Sequence, residues 1–225
     1  MKKIILIFAF IPIIIFSQSD GKNKKGSNKW DIGINGGVNV NNPISDSSNL
    51  NEISSQGTLY GLTIVYHFNR FFAFKADFDV ENRGWKMKTL GEKLENGVSV
   101  PKFTDIKQTL DYFDIPAFMH IGFGKKFKVD LNLGPYFGFK IKDKISAADE
   151  LDEAKIRGEL GIGKFKNFDF GLVYGIGFDY HIHRLFSIGF DALLERGMRV
   201  INEGGYKNSS IDFDFGINFH LGRKK

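Results

Sequence analysis

Histidine and carboxylate side chains are the groups of this sequence that could carry chemistry, because the 225-residue chain contains no cysteine. The lack of cysteine excludes a disulfide framework, a thiolate zinc site and a thiol nucleophile. His181 and His183 lie two residues apart, so in an extended segment both imidazoles fall on one side and could bind a metal ion. No third ligand lies near them, and no GxSxG, HExxH or P-loop pattern occurs in the sequence. We therefore predict no enzyme activity, no catalytic or metal-binding residue and no cofactor.

Carboxylates form the second group of candidates, and they recur at every second position of several segments. Side chains two residues apart in a strand lie on the same face, so these carboxylates and a few lysines are expected to meet inside the fold. Two interpretations of such a cluster remain open, a passage that attracts cations or a plug held by salt bridges. The predicted cluster consists of Lys75, Asp77, Asp79, Glu81, Asp114, Asp130, Lys140, Asp179, Asp191, Asp212 and Asp214.

The N-terminus has the pattern of a secretory signal. Two lysines precede an apolar run over residues 4–16, which is too short to span a bilayer as a helix, and polar residues follow it. We predict a signal peptide over 1–17, a flexible polar leader over 18–29 and one β-barrel domain over 30–225. The formal net charge of +5 is small, and an exported protein has little access to nucleic acid, so no nucleic-acid partner is expected.

The rest of the chain alternates apolar and polar residues with a period of two, which is typical of β-strands. The connections between strands alternate between long and short, as they do in outer-membrane barrels with tight periplasmic turns and long external loops. The predicted long connections are 41–57, 84–108, 142–166 and 196–210. The predicted strands are 30–40, 58–68, 72–83, 109–123, 127–141, 167–180, 185–195 and 211–221.

One face of these strands is apolar and the other carries glycine and short carboxylates, which agrees with a composition of 24 Phe and 26 Gly. A closed eight-stranded barrel has an interior that side chains only just fill, so the large apolar face cannot point inward. We predict an all-β fold, an eight-stranded antiparallel transmembrane β-barrel with an up-and-down meander. A soluble barrel of the lipocalin type and a two-sheet sandwich are the alternatives.

Three motifs in consecutive strands resemble those of PorT-like outer-membrane β-barrel proteins. They are Y-x-x-I-P at 112–116, G-P-Y-x-G at 134–138 and D-x-G-x-x-x-G-x-G at 169–177. The resemblance implies an eight-stranded barrel in the outer membrane of a Gram-negative bacterium and a link to protein export, and it identifies no catalytic residue. The motif residues are Tyr112, Pro116, Gly134, Pro135, Gly138, Asp169, Gly171, Gly175 and Gly177.

The prolines of these motifs also have a local meaning. Proline cannot donate a hydrogen bond to a neighbouring strand, so we expect a bulge or bend at Pro116 and at Gly134-Pro135.

Together these features predict a structural or interaction component of the outer membrane. Its expected partners are outer-membrane lipid, lipopolysaccharide and the proteins of an export or surface complex. A small-solute or ion channel is the main alternative, and a lipid-modifying barrel enzyme is a third.

Overall fold

Each strand pairs with the next one along the chain, and the last strand pairs with the first. The computed structural model describes residues 29–44, 52–95, 98–147 and 163–221, which form a closed antiparallel barrel. The predicted signal peptide and all but the last residue of the leader lie outside the described residues. The described residues contain no helix long and apolar enough to cross a membrane. The strands are β1 (Trp30–Asn41), β2 (Glu52–His67), β3 (Phe72–Glu95), β4 (Val98–Gly124), β5 (Phe127–Ala147), β6 (Phe168–His183), β7 (Phe186–Gly197) and β8 (Ser209–His220).

The barrel is closed by a continuous ladder between its first and last strands. β1 and β8 pair from Asp31↔His220 to Asn41↔Ser210. Closure leaves neither strand with an unpaired edge, which is the condition for placing backbone amides in lipid. The eight-stranded meander predicted from the sequence is therefore confirmed.

The two faces of the strands differ sharply in exposure. Outward-facing Leu133 and Phe215 have 59% and 63% of their surface exposed, whereas inward-facing Asp77 and Asp114 have 1%. A water-soluble barrel or sandwich would show the reverse distribution. The apolar outer surface is therefore the lipid-facing surface of a transmembrane barrel.

Glycines of the inner face stand beside carboxylates of the next strand. Gly61 pairs with Asp79, and a Cβ atom on Gly61 would lie 2.2 Å from the Asp79 Oδ1 atom. Gly177 pairs with Asp191, and its Cβ would lie 2.2 Å from Oδ1 of that residue. Because the lumen is narrow, each carboxylate occupies the space that a neighbouring side chain would need. This pairing explains why glycine and aspartate alternate on one face of the strands.

The predicted long connection over 84–108 is wrong, because β3 and β4 continue through it as one long hairpin. They pair from Phe72↔Ile121 to Glu95↔Val98. In the first part of this extension the inner face becomes apolar, with Trp85 and Met87 buried, while Lys86 between them is exposed. The period of two persists, but the polarity of the faces reverses, and for this reason the segment did not match the pattern of the membrane strands.

Of the bulge or bend expected at Pro116 and at Gly134-Pro135, the bulge is not found in these described strands. The β3–β4 and β4–β5 registers are the same on both sides of these residues. The irregularity lies nearer the long-loop end, where Asp111 pairs with Lys142 and the adjacent Tyr112 pairs with Lys140. Ile141 is the extra residue of this bulge, and beyond it the inward positions of β5 change from even to odd numbers.

Candidate functional site

A buried arginine holds three carboxylates together across the lumen. Arg83 Nη2 lies 2.6 Å from Glu81 Oε2 and 3.2 Å from Asp114 Oδ2, and it also contacts Glu195 Oε2. The three acidic residues belong to β3, β4 and β7. The side chain of Arg83 is only 2% exposed, and its guanidinium lies 5.1 Å from the ring centroid of Tyr136. This Arg83 cluster closes the middle of the barrel with charge-assisted contacts.

A second ion cluster lies closer to the short turns. Lys75 Nζ is 2.6 Å from Asp191 Oδ2 and 3.5 Å from Asp77 Oδ2. Thr63 Oγ1 donates to Asp77 Oδ1 at 2.7 Å, and Asn132 Nδ2 donates to Asp191 Oδ1 at 2.8 Å. The Lys75 cluster therefore links β2, β3, β5 and β7 across the lumen.

Two further carboxylates share one amide. Asn35 Nδ2 donates to Asp79 Oδ1 at 2.8 Å and to Asp214 Oδ2 at 3.1 Å. Asp212 is 3% exposed and lies near the Arg83 cluster. These contacts join polar groups of different strands across the lumen, which is where buried charges find their partners.

Apolar side chains seal the lumen at two levels. Phe118, Tyr136, Val173 and Leu193 form one buried cluster inside the barrel. A larger group, here called the outer cap, lies at the long-loop end and takes side chains from β3, β4, β5 and the segments 163–167 and 198–208. The outer cap consists of Trp85, Met87, Ile106, Leu110, Tyr112, Ile145, Phe165, Ile201 and Tyr206.

The short-turn end of the lumen is different, because it contains a small cavity lined by polar and ionisable groups. The cavity has a volume of about 30 Å³, enough for one or two water molecules and too small for an organic solute. His120, Asp130 and Asp179 line it, and their ligand atoms all lie within 4.8 Å of one another. At its mouth Asp31 pairs with two histidines from the neighbouring strands. A rim of basic residues surrounds the opening and includes Lys29, Arg70, Lys125, Lys126 and Arg184.

The residues of the predicted charged cluster all face inward, but the structure separates them into several groups. Asp130 and Asp179 lie in the short-turn cavity, away from the Arg83 cluster. Lys140 does not neutralise any of these carboxylates. Its Nζ atom donates to the carbonyl of Phe165 at 2.5 Å and lies 3.5 Å from Asp143 Oδ2, near the outer cap.

The motif residues lie where the strands approach each other closely. Asp169 Oδ2 accepts hydrogen bonds from Tyr136 at 3.0 Å and from Asn208 at 2.7 Å, so it joins β6 to β5 and to the segment 198–208. Tyr112 is buried in the outer cap, and Pro116 also faces inward. Pro135 is exposed on the outer surface. The glycines Gly134, Gly138, Gly171, Gly175 and Gly177 each have a neighbouring atom within 3.0 Å of the position that a Cβ would take.

His181 and His183, the two histidines that lie two residues apart, have different neighbours. The ring of His181 stacks on His220 at 5.0 Å, and the ring of His183 lies 6.0 Å from Phe186. A register irregularity falls between them.

The predicted cluster left out Arg83 and His120, which lie at the centres of two groups of carboxylates. Both have the inward parity of their strands, since Arg83 follows Glu81 by two residues and His120 follows Asp114 by six. Parity therefore predicts both on the lumen face, as the structure has them, but it does not identify the carboxylates that surround them. The apolar residues inside the lumen, such as Phe118, gave no such signal, because they interrupt a face of glycine and aspartate.

The family model described as outer membrane protein beta-barrel domain matches residues 16–203. The chain belongs to this family. The barrel therefore lies in the outer membrane. Outer-membrane barrels in general have short periplasmic turns and longer external loops, so the short-turn end is here called the periplasmic end and the end with the outer cap the external end. No curated protein matches the sequence.

Several solved outer-membrane barrels are similar to this one. Neisserial surface protein A has 14% identity over 88% of this chain and 100% of its own, with a TM-score of 0.47. Ail of Yersinia pestis, solved with the heparin analogue sucrose octasulfate, has 16% identity over 85% of this chain and 99% of its own, with a TM-score of 0.43. Outer Membrane Protein W of E. coli has 13% identity over 86% of this chain and 99% of its own, with a TM-score of 0.44.

Proposed function

We propose that this protein is a non-conducting outer-membrane barrel that works through its surfaces, as a structural or partner-binding component without enzyme activity. The observation that carries the proposal is the closure of the lumen. An ion travelling along the barrel would meet the Lys75 cluster, the Arg83 cluster and the outer cap in turn.

Opening this lumen would require separating buried charges. Arg83 contacts three carboxylates, and removing one partner from a buried ion pair costs about 3–5 kcal/mol. Since each 1.4 kcal/mol is a factor of ten, an open state would be populated roughly 100-fold to 4,000-fold less than the closed one. Opening would also expose the aromatic rings of the outer cap to water.

The external side offers a surface for a partner. β3 has 24 residues and β4 has 27, whereas about 9–11 residues are needed to cross the bilayer. The hairpin therefore continues for about 40 Å of strand beyond the lipid-facing residues. A long, paired extension of this kind supports a role in contacting macromolecules or lipopolysaccharide outside the cell.

A role in protein export or surface assembly is the finer form of this proposal. Its support is the resemblance of the three ordered motifs to PorT-like proteins. An affinity purification from outer membranes in mild detergent tests it. We expect envelope proteins to be recovered in stoichiometric amounts with the full-length barrel. We expect them to be lost when residues 88–105 are replaced by a two-residue turn between the paired residues Met87 and Ile106. Recovery of the barrel alone in both cases would contradict a role in a complex.

Planar-bilayer recording tests the closed lumen directly. We expect no steady unitary steps from the purified barrel at neutral pH. The acidic lumen favours the alternative of a cation channel, so steady cation-selective steps would overturn the proposal in favour of that alternative. Unchanged lipid A and phospholipid acyl chains in a deletion strain are expected if the protein is not a lipid-modifying enzyme.

A further inference from the structure

Three potential metal ligands from three strands meet in the periplasmic cavity. His120 lies on β4, Asp130 on β5 and Asp179 on β6, and one ligand atom of each lies within 4.8 Å of the others. His120 Nε2 is 3.3 Å from Asp130 Oδ1. One imidazole and two carboxylates form a ligand set suited to Zn²⁺ and related divalent ions.

The tautomer of His120 is fixed by a residue outside the ligand set. Asn132 Nδ2 donates to Asp191 Oδ1 at 2.8 Å, so its Oδ1 atom is the one that faces His120 Nδ1, also at 2.8 Å. An amide oxygen accepts hydrogen bonds, so Nδ1 carries the proton. In the neutral ring Nε2 then presents its lone pair to the two carboxylates. Metal-binding histidines are commonly oriented by such a hydrogen bond to their second nitrogen.

The carboxylate beside this nitrogen is incompletely satisfied. Asp130 is 1% exposed, and among the described residues its Oδ1 atom accepts no hydrogen bond, because the nearby Nε2 atom of His120, at 3.3 Å, carries no proton in the neutral ring. A buried carboxylate oxygen without a partner is costly, and a bound cation would remove this cost. The nearby Lys75 is already bonded to Asp191 and Asp77, so its charge is engaged elsewhere.

Glycines of the adjacent strands hold space for both carboxylates. Gly122 pairs with Asp130, and a Cβ atom on Gly122 would lie 2.4 Å from the Asp130 Oδ1 atom. Gly189 pairs with Asp179, and its Cβ would lie 2.9 Å from the Asp179 Oδ1 atom. Both carboxylates therefore sit on the inner wall of the cavity, toward His120.

We infer that His120, Asp130 and Asp179 bind a divalent first-row transition metal that enters from the periplasm. The two carboxylates balance the charge of such an ion. Three protein ligands leave a fourth position for water, for which the cavity has room. This inference departs from the expectation of no metal site that the sequence alone supports, and it is independent of the proposed closed lumen.

Zinc titration of the folded, full-length mature barrel in detergent tests the site, with Co²⁺ absorption as a spectroscopic readout. We expect one Zn²⁺ per barrel and a four-coordinate cobalt spectrum. Asn132→Ala should weaken binding by about 10–100-fold, and His120→Gln or Asp179→Asn by more than that, since they remove ligands rather than their support. His183→Gln is the matched control and should bind as the wild type does.

Folding of each variant is checked by its mobility shift on boiling. Asp179 is only half-buried, so its substitution should disturb folding less than that of His120. If His120→Gln does not fold, zinc binding by Asp179→Asn tests the site. Absence of 1:1 binding at about millimolar zinc would overturn the inference. Unchanged zinc binding in His120→Gln and Asp179→Asn would also overturn the inference. Loss of zinc binding in His183→Gln would overturn it as well, because the metal would then lie at the rim of the barrel.

Discussion

The indole of Trp85 lies nearly parallel to the ring of Tyr206, with centroids 4.9 Å apart and planes 14° apart. Phe165 meets the same indole edge-on at 5.6 Å. Trp85 belongs to β3, whereas its two partners come from segments between strands. The backbone joins these segments as well, since the Lys166 amide donates to the Ile201 carbonyl at 2.7 Å. The external end of the barrel is therefore closed by its own connecting segments, which pack on the extended hairpin.

Trp85→Ala should destabilise the barrel substantially. The side chain is 1% exposed and holds two aromatic neighbours, so its removal leaves a large cavity, which costs about 3–5 kcal/mol. The measurement is equilibrium unfolding in urea, followed by tryptophan fluorescence and gel mobility. Trp30→Ala removes the same side chain from the lipid-facing surface, where 51% of it is exposed, and should cost much less. Equal losses in the two variants would show that the outer cap is not a packed core.

Arg83→Met should also destabilise the barrel, because it leaves Glu81, Asp114 and Glu195 buried without their shared cation. The expected loss is about 3–5 kcal/mol in the same unfolding experiment. Adding Glu195→Gln to Arg83→Met should recover part of the loss, since one uncompensated charge is then removed.

The control for this prediction is Arg196→Met. Arg196 follows Glu195 in β7 but is exposed on the outside, and its substitution should change stability by less than about 0.5 kcal/mol. A loss for Arg83→Met as small as that for the control would mean that the carboxylates do not depend on the guanidinium.

Much of the architecture could be predicted from alternation alone. The membrane strands follow from the alternation of apolar and polar residues with a period of two. The outward direction of their apolar faces follows from the small interior volume of an eight-stranded barrel. The long hairpin was missed because the pattern reverses polarity where the strands leave the lipid. Above that level Trp85 and Met87 face the lumen while Lys86 faces water, which is the arrangement of a soluble sheet.

The grouping of the lumen charges could not be predicted, because it depends on the register between strands that are distant in sequence. Arg83 and Glu195 are 112 positions apart, and a shift of one residue at either strand would separate them. The bulge at Ile141 likewise has no clear signature in the sequence. The sequence therefore indicates on which face of its strand each residue lies, but it does not indicate which residue it contacts across the lumen.

Gly175→Ala should test the physical meaning of the glycine-rich motif in β6. A Cβ at this position would lie 2.1 Å from the Ala192 carbonyl oxygen and 2.8 Å from the Leu193 Cα, so the backbone of β7 would have to move. Overpacking of this kind costs about 1–3 kcal/mol. The measurement is the urea midpoint together with the refolding yield in detergent.

The matched control is Gly216→Ala on β8. Its Cβ would lie 3.5 Å from the nearest atom, the Ile34 carbonyl oxygen, which is an ordinary contact distance. This variant should fold with a stability close to that of the wild type. If the two substitutions have the same effect, the close approach of β6 to β7 is not the reason for the glycine.

Asp31→Ala should weaken the seam that closes the barrel. Asp31 Oδ2 lies 2.7 Å from His67 Nε2, and its Oδ1 atom lies 2.9 Å from His220 Nδ1. One carboxylate of β1 thereby joins β2 on one side and β8 on the other, at the periplasmic end.

Loss of both contacts in Asp31→Ala leaves two imidazole nitrogens without their acceptor. Since hydrogen bonds to a charged group contribute about 1.5–3 kcal/mol each, we expect the variant to lose about 2–4 kcal/mol, allowing for partial exposure. Hydrogen exchange should be faster at the amide of Leu221, which donates to the Trp30 carbonyl at 3.1 Å across the seam. Asp105→Ala, which removes an exposed carboxylate from the external hairpin, should change neither quantity. An Asp31→Ala barrel with normal stability and normal exchange at the seam would show that the backbone ladder between β1 and β8 closes the barrel without this bridge.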